Sequence, residues 1–464
     1  MVKTVKIVLV FVLLCIFYSY RILQVPSGLT ADEGAFAYNA VLLSRTLHDE
    51  NGRFMPFFVL SLNGTDWRQP VTQYYLTALF KILPPDVFTL RFSSVLIASV
   101  SVIMVWGIFG IVPALLVATT PLLMIQAHMG LDNIMPVPFT LLWVWGLMQF
   151  KSRLKFKYLV LSAIALGISF YSYKGMRAIV PVWSLLSVMY LWPKLKSILV
   201  FSLSLFPFFA IIPWLQAHYP GAVFGGARPV FDSYYNFFMP YLSSFDPSFL
   251  FVTGDATRYH STGMHGMFLL ASLPIFVLGI FQAVKKRGIW TLILAAFFLA
   301  PLLYGSVGSV HRASRLMNQI PLYAAISGLG LSWLWSRKKI FGLAAGLLLA
   351  LNYFDFVNYY WYTYPKFTRG DFGDLSTYLD FKEFSNQAKK LNLQPYVYAP
   401  LLENKDQTLL YYAVAYLSPD YLSWSQTDGP LPEDALLLSN RKEIPGTTTS
   451  SVSLPHYYLS TMVK

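Results

Sequence analysis

The sequence predicts an all-α polytopic membrane protein of about eleven transmembrane helices, followed by a small C-terminal α/β domain on the outer face. Four observations lead there. Only 12% of the residues are charged and 56% are hydrophobic, at a mean hydropathy of +0.51, whereas a soluble chain carries about a quarter charged residues. Apolar runs of about 16 to 22 residues recur along most of the chain, close to the ~20 that a spanning helix needs. Lys and Arg gather in alternate connections between those runs, as orienting charges do. Trp and Tyr sit at many run ends, where a ring with a polar tip suits the headgroup layer.

The first run, 5–25, follows Lys3 and Lys6. No small-residue cleavage site follows it, and it reaches Arg21 and Pro26, so it reads as a retained span with its N-terminus inside. A polar stretch over 27–87 comes next, then runs over 88–109, 111–127, 134–150, 158–173, 178–192 and 197–216. A second polar stretch, 217–262, precedes runs over 264–284, 289–306, 316–335 and 339–357. With the N-terminus inside, the inner connections hold Lys151, Arg153, Lys155 and Lys157, then Lys194 and Lys196, then Lys285, Lys286 and Arg287, then Arg337, Lys338 and Lys339. Only the turn near Gly110 lacks a cluster. Both polar stretches then fall outside, and an odd number of spans puts the C-terminus outside too.

From 360 onward the long apolar runs stop. Residues 374–391 read as an amphipathic helix, 395–399 and 435–439 as strands and 405–417 as a helix. The chain thus divides into a membrane module, 1–359, and an outer α/β domain, 360–464. The net charge of +13 does not indicate nucleic acid, because the cations are scattered in short inter-span clusters. Cys15, the single cysteine, lies inside the first run and reads as a small buried hydrophobe, with no disulfide framework. Asn63-Gly64-Thr65 fits an N-glycosylation pattern at chance frequency.

The strongest local motif is Thr30-Ala31-Asp32-Glu33-Gly34, just beyond the first span. Adjacent carboxylates there serve as helix capping, with Thr30 or Asp32 capping a helix that begins near Glu33. They also suit a general base that takes a proton from an attacking hydroxyl, and both roles are compatible. His128 and Asp132, four apart, share one side if that segment is helical. The pair leaves a divalent metal open as a cofactor, with no cofactor certain, and equally fits a capped turn.

In order and topology, residues 1–330 resemble the GT-C glycosyltransferases. The resemblance is strongest to the family 39 group of protein O-mannosyltransferases and their bacterial and archaeal relatives, including the aminoarabinose transferases. It is carried by Asp32-Glu33, by Arg68-Gln69-Pro70 with Tyr74-Tyr75, and by Leu90-Arg91-Phe92 opening the second span. It continues through 127–133, through 167–173 followed by Arg177, through Gly254-Asp255 and Arg258-Tyr259-His260-Ser261, and through His311-Arg312-Ala313. Arg-Gln-Pro stands here where many relatives have Lys-Pro-Pro or His-Pro-Pro.

The resemblance implies transfer of a sugar, with inversion, from a polyprenyl-phosphate donor to a hydroxyl of a protein, lipid or glycan acceptor. It makes Asp32 the base, gives Glu33 a supporting or acceptor-binding role, and puts Arg68, Gln69 and Tyr74 on the acceptor or donor loop. A phosphate leaving group needs cationic partners. Lys174, Arg177, Arg258, His260, His311, Arg312 and Arg315 fall on the outer side, where orienting charge does not put them, and Arg91 opens span two. Each also suits a side chain snorkelling to lipid phosphate. The alternatives are a transporter or flippase for lipid-linked glycans and a polymerase or ligase. A transporter calls for ionisable groups buried mid-span, whereas these sit at span ends and in loops. The expected location is the plasma or inner membrane.

Overall fold

The computed structural model describes residues 2–62, 64–224, 233–307, 312–368, 372, 375–398, 425–427, 434–439, 447–454 and 458–462. His311, Asn63 and the helix expected over 405–417 lie outside the described residues.

The helices run α1 Val2–Ser19, α2 Ala31–Thr46, α3 Pro70–Phe80, α4 Val87–Phe109, α5 Ile111–Ala118, α6 Pro121–Ala127, α7 Pro136–Arg153, α8 Lys157–Phe170 and α9 Met176–Leu191. They continue as α10 Leu195–Ala210, α11 Ile212–His218, α12 Tyr234–Ser243, α13 Leu273–Lys286, α14 Ile289–Leu299, α15 Leu302–Val307, α16 Gln319–Arg337, α17 Lys339–Asn358, α18 Tyr364–Phe367 and α19 Leu375–Leu391. Helix is present in every apolar run expected from the sequence. Among the described residues, three stretches are long and apolar enough to cross a membrane by length and composition: Val87–Phe109, Leu195–His218 and Lys339–Phe367. Leu199, Leu203 and Phe206 on α10, and Leu343, Leu347 and Leu351 on α17, stay exposed at successive turns. Apolar stripes of that kind need a nonaqueous neighbour.

The run over 264–284 is helical only from Leu270. Before it, Phe268 N–H donates to the Leu250 carbonyl at 2.8 Å instead of to its own turn. A Cβ on Gly266 would lie 2.4 Å from the Phe251 backbone, so only glycine allows that approach.

Two compact units emerge. The first holds Met1–Ile22, Gln69–Thr72 and Arg91–Tyr364. Its helices pack through small residues. A Cβ on Gly279 (α13) would meet the Ile326 carbonyl oxygen at 2.0 Å, and one on Gly330 (α16) would meet that of Ile275 at 2.0 Å. The two backbones therefore touch, as membrane helices do in the absence of a hydrophobic drive between them. Buried Trp143 and Trp183 stack at 4.7 Å and donate to Ser187 Oγ and the Ala296 carbonyl, so neither indole N–H is orphaned.

The second unit holds Leu23–Arg68, Gln73–Leu90 and Pro365–Lys464. Strands β1 Val59–Ser61 and β2 Asp66–Arg68 form an antiparallel pair. Strands β3 Gln394–Tyr398, β4 Ser425–Thr427, β5 Ala435–Ser439, β6 Thr447–Ser453 and β7 Tyr458–Met462 form a mixed sheet of order β4-β3-β5-β7-β6. One apolar core joins Ala37, Tyr38 and Val41 of α2 and Leu76 and Phe80 of α3 to Phe384 and Ala388 of α19, Leu436 and Leu438 of β5 and Leu459 of β7. The first polar stretch and the C-terminal segment are thus folded around the same side chains.

Candidate functional site

In the second unit, Thr30 is the N-cap of α2, and the helix starts at Ala31. Its hydroxyl accepts from Glu33 N–H at 3.1 Å, while Glu33 Oε2 accepts from Thr30 N–H at 3.0 Å. This reciprocal capping box satisfies two of the helix's four orphan donors. Glu33 is fully buried and its carboxylate serves the cap. Asp32 points elsewhere. Its side chain is 54% exposed, and its Oδ1 receives Arg68 Nη1 at 2.7 Å. Arg68 is itself buried, lies 3.6 Å from Asp66 Oδ2, and covers the Phe36 ring at 4.8 Å. Strand β2 carries Asp66 and Arg68 on one face, two residues apart, so the hairpin aims the guanidinium at the first turn of α2. The result is an accessible carboxylate with one oxygen held in a fixed direction. Tyr74 donates to the Pro56 carbonyl at 2.6 Å and fastens α3 to the loop before β1.

In the first unit, Gln69 is buried and accepts from Arg177 Nη2 at 2.5 Å. Arg177 Nη1 donates to the Ala222 and Val223 carbonyls at 2.5 and 2.9 Å. Val71 N–H and Thr72 Oγ1 reach the Tyr171 and Ser172 carbonyls, so 69–72 is stitched to the end of α8. Lys174 is exposed in the following turn. Arg91, fully buried, donates to the Ile22 carbonyl at 2.8 Å and ties α4 to the chain leaving α1.

A second cluster of the same unit gathers His260, Gln126 and Asn133. Gln126 Nε2 lies 3.0 Å from His260 Nδ1, and Asn133 Nδ2 donates to Gln126 Oε1 at 3.3 Å. Asp255, four-per-cent exposed, accepts from Thr257 and from Ala313 N–H, joining the loop of Arg258 and His260 to the 3-10 turn Ala313–Leu316. That turn packs on α6 and on the 3-10 turn Asp132–Ile134. Arg258 and Arg312 are exposed and Arg315 is half-buried. The Tyr364 hydroxyl donates to the Arg258 carbonyl.

His128 and Asp132 do not share a helix, because α6 ends at Ala127 and a new turn opens at Asp132. His128 is fully buried, and its Nε2 lies 2.8 Å from the Tyr18 carbonyl. Asp132 opens the 3-10 turn that leads into α7, with Leu131 at the N-cap position, and its carbonyl accepts from Met135 N–H at 3.1 Å. Among the described residues no three His, Cys, Asp or Glu side chains come together as a metal site.

The pairings themselves were not legible in the sequence. The motif that marks Arg68 carries no sign that Asp32 is its partner. Gln126 carried no motif at all, since a lone amide within an apolar run signals nothing until its neighbours are known.

No protein-family model and no curated protein matches the chain. Solved structures do. The apo crystal structure of ArnT from Cupriavidus metallidurans superposes with a TM-score of 0.59 at 12% identity, over 100% of this chain and 99% of that one. ArnT bound to undecaprenyl phosphate gives 0.54 at 10% identity, over 98% of each chain. The Archaeoglobus fulgidus oligosaccharyltransferase in complex with Zn and sulfate gives 0.50 at 12% identity, over 88% of this chain and 61% of its own. At such identities the likeness is one of fold: this chain has the GT-C fold, and with its apolar helices it is an integral membrane protein.

Proposed function

We propose that this protein is a membrane glycosyltransferase of the family 39 type, transferring a sugar from a polyprenyl-phosphate donor to an acceptor hydroxyl on the outer face of the membrane. The observation that carries the reading is the GT-C fold, whose likeness to ArnT includes a form of that protein holding undecaprenyl phosphate. The accessible Asp32 carboxylate, oriented by Arg68, supports it independently.

In this reading the acceptor oxygen attacks the anomeric carbon from the face opposite the phosphate. Asp32 takes the hydroxyl proton as the new C–O bond forms. The anomeric C–O bond to phosphate breaks, and its electron pair leaves with polyprenyl phosphate. Inversion follows from the single displacement. The cations of the first unit, Lys174, Arg177, Arg258, His260, Arg312 and Arg315, serve the growing phosphate charge. Arg258, Arg312 and Lys174 are best suited among them, being exposed. The ligand set seen for Arg91 suits helix anchoring. The acceptor is a protein, lipid or glycan hydroxyl. The chain crosses the membrane about eleven times by its apolar runs, with the N-terminus cytoplasmic and residues 360–464 outside.

The test is transfer in membranes supplied with polyprenyl-phosphate sugars. Asp32→Asn keeps size and hydrogen bonding but not basicity, and lowers turnover by about 10²–10⁴-fold at unchanged expression. Transfer by Asp32→Asn within a factor of about three of wild type would remove Asp32 as base.

A further inference from the structure

A set of unsatisfied polar atoms sits at the entry to α16. Arg315 Nη1, Asn318 Oδ1, Asn318 Nδ2 and Gln319 Oε1 are all buried and none has a hydrogen-bond partner. Asn318 and Gln319 are each 1% exposed. Both ends of the Asn318 amide are therefore orphaned, while Gln319 keeps one bond, from Nε2 to the Phe297 carbonyl at 2.7 Å. A buried orphan is costly to leave unmade, and buried polar groups nearly always find partners. Four such atoms lie within five residues, and no described side chain answers them.

The backbone puts them on a common side. Residues 313–316 form a 3-10 turn, and Met317 and Asn318 continue it with αR dihedrals into α16. Arg315 and Asn318 are three apart on this rod and lie one above the other. The turn is held by Asp255 through Ala313 N–H, on the same loop that carries Arg258 and His260.

The atom types decide the ligand. Two are donors, Arg315 Nη1 and Asn318 Nδ2, and two are acceptors, Asn318 Oδ1 and Gln319 Oε1. A bare phosphate offers acceptors only and leaves both carbonyl oxygens unanswered. An ammonium offers donors only and faces the Arg315 cation. A hydroxyl offers one donor and two lone pairs, so neighbouring sugar hydroxyls match all four atoms at once.

We propose that Arg315, Asn318 and Gln319 form a subsite that reads hydroxyls of the transferred sugar, with Asn318 as its specificity-determining residue. The proposal rests on the glycosyltransferase reading and adds that the sugar is recognised through uncharged hydroxyls at this point. The four atoms are sealed from solvent.

The test compares binding of undecaprenyl phosphate with binding of its hexosyl and aminopentosyl derivatives, using full-length protein in nanodiscs. Asn318→Leu replaces the amide by an apolar group of similar shape. The expected result is that wild type holds a sugar-bearing lipid at least tenfold tighter than undecaprenyl phosphate. Asn318→Leu removes that preference, leaves undecaprenyl phosphate binding unchanged, and melts no lower than wild type. Asn318→Gln, which keeps both atom types, restores part of the preference. Wild-type preference surviving intact in Asn318→Leu overturns the subsite and leaves water as the partner of these atoms. Failure of wild type to bind any of the lipids overturns the glycosyltransferase reading itself. If Asn318→Leu does not fold, Gln319→Met gives the same comparison with the Phe297 bond lost and the acceptor removed.

Discussion

Asp32 and Glu33 are neighbours of the same chemical type that α2 assigns to different work. Glu33 at the third helical position turns back onto Thr30 N–H, and Asp32 at the second turns outward to Arg68. Three substitutions separate those roles. Glu33→Gln keeps an acceptor at the capping position, and transfer stays within about threefold of wild type. Glu33→Ala removes it and lowers thermal stability by about 1 kcal/mol, read as a fall in melting temperature of the detergent-solubilised protein. Arg68→Lys keeps the charge but loses the planar fork and the stacking on Phe36. Turnover then drops about tenfold with little change in expression, measured in the same membrane assay. An Arg68→Lys protein as active as wild type would mean that the guanidinium orients nothing.

Among elements, α13 and α16 illustrate how apolar helices choose partners. Neither is distinguished by hydrophobicity, since both are apolar nearly all round. What selects the contact is the pair Gly279 and Gly330, each opposite a carbonyl oxygen of the other helix. Gly330→Leu forces the helices apart, because even a Cβ would sit 2.0 Å from Ile275 O. Overpacking of this kind costs about 1–3 kcal/mol or more, visible as lower thermal stability. Gly346, with nothing within 4 Å, is the control: Gly346→Ala on α17 is neutral or slightly stabilising. The boundaries of most helices follow from their apolar runs. The exception is 264–269, where local hydrogen bonds to 249–250 replace the helical ladder. Hydropathy does not report such a nonlocal competitor.

Across the whole molecule, residues far apart in sequence complete one another. The core around α2 draws on Phe384, Leu436, Leu438 and Leu459 of the C-terminal segment. Leu436→Ala leaves a cavity in that core and costs about 2–5 kcal/mol. Because the same core supports α2, transfer falls with it, checked by pairing a melting curve with the membrane assay. The expected cut at 359/360 describes a change of composition. The compact units instead group 23–68 and 73–90 with 365–464. The topology proposed above is checked by a cysteine placed near the C-terminus of a Cys15→Ser protein, which a membrane-impermeant maleimide labels from the outer face.

That the chain lives in a bilayer, where its apolar runs lie, and that a helix capped by Thr30 or Asp32 opens near Glu33 are all legible in the residues alone. These properties depend on segments of a few to twenty residues, so hydropathy and capping chemistry read them directly. The fold is needed to see that Arg68 holds Asp32, that Gln69 holds Arg177, that His128 faces the Tyr18 carbonyl rather than Asp132, and that the Asn318 amide is buried. Which donor meets which acceptor depends on contacts closed between residues 36 to 110 positions apart, and no local pattern encodes them. The acidic pair was visible as a motif; its division into one capping residue and one oriented, accessible carboxylate came from the fold.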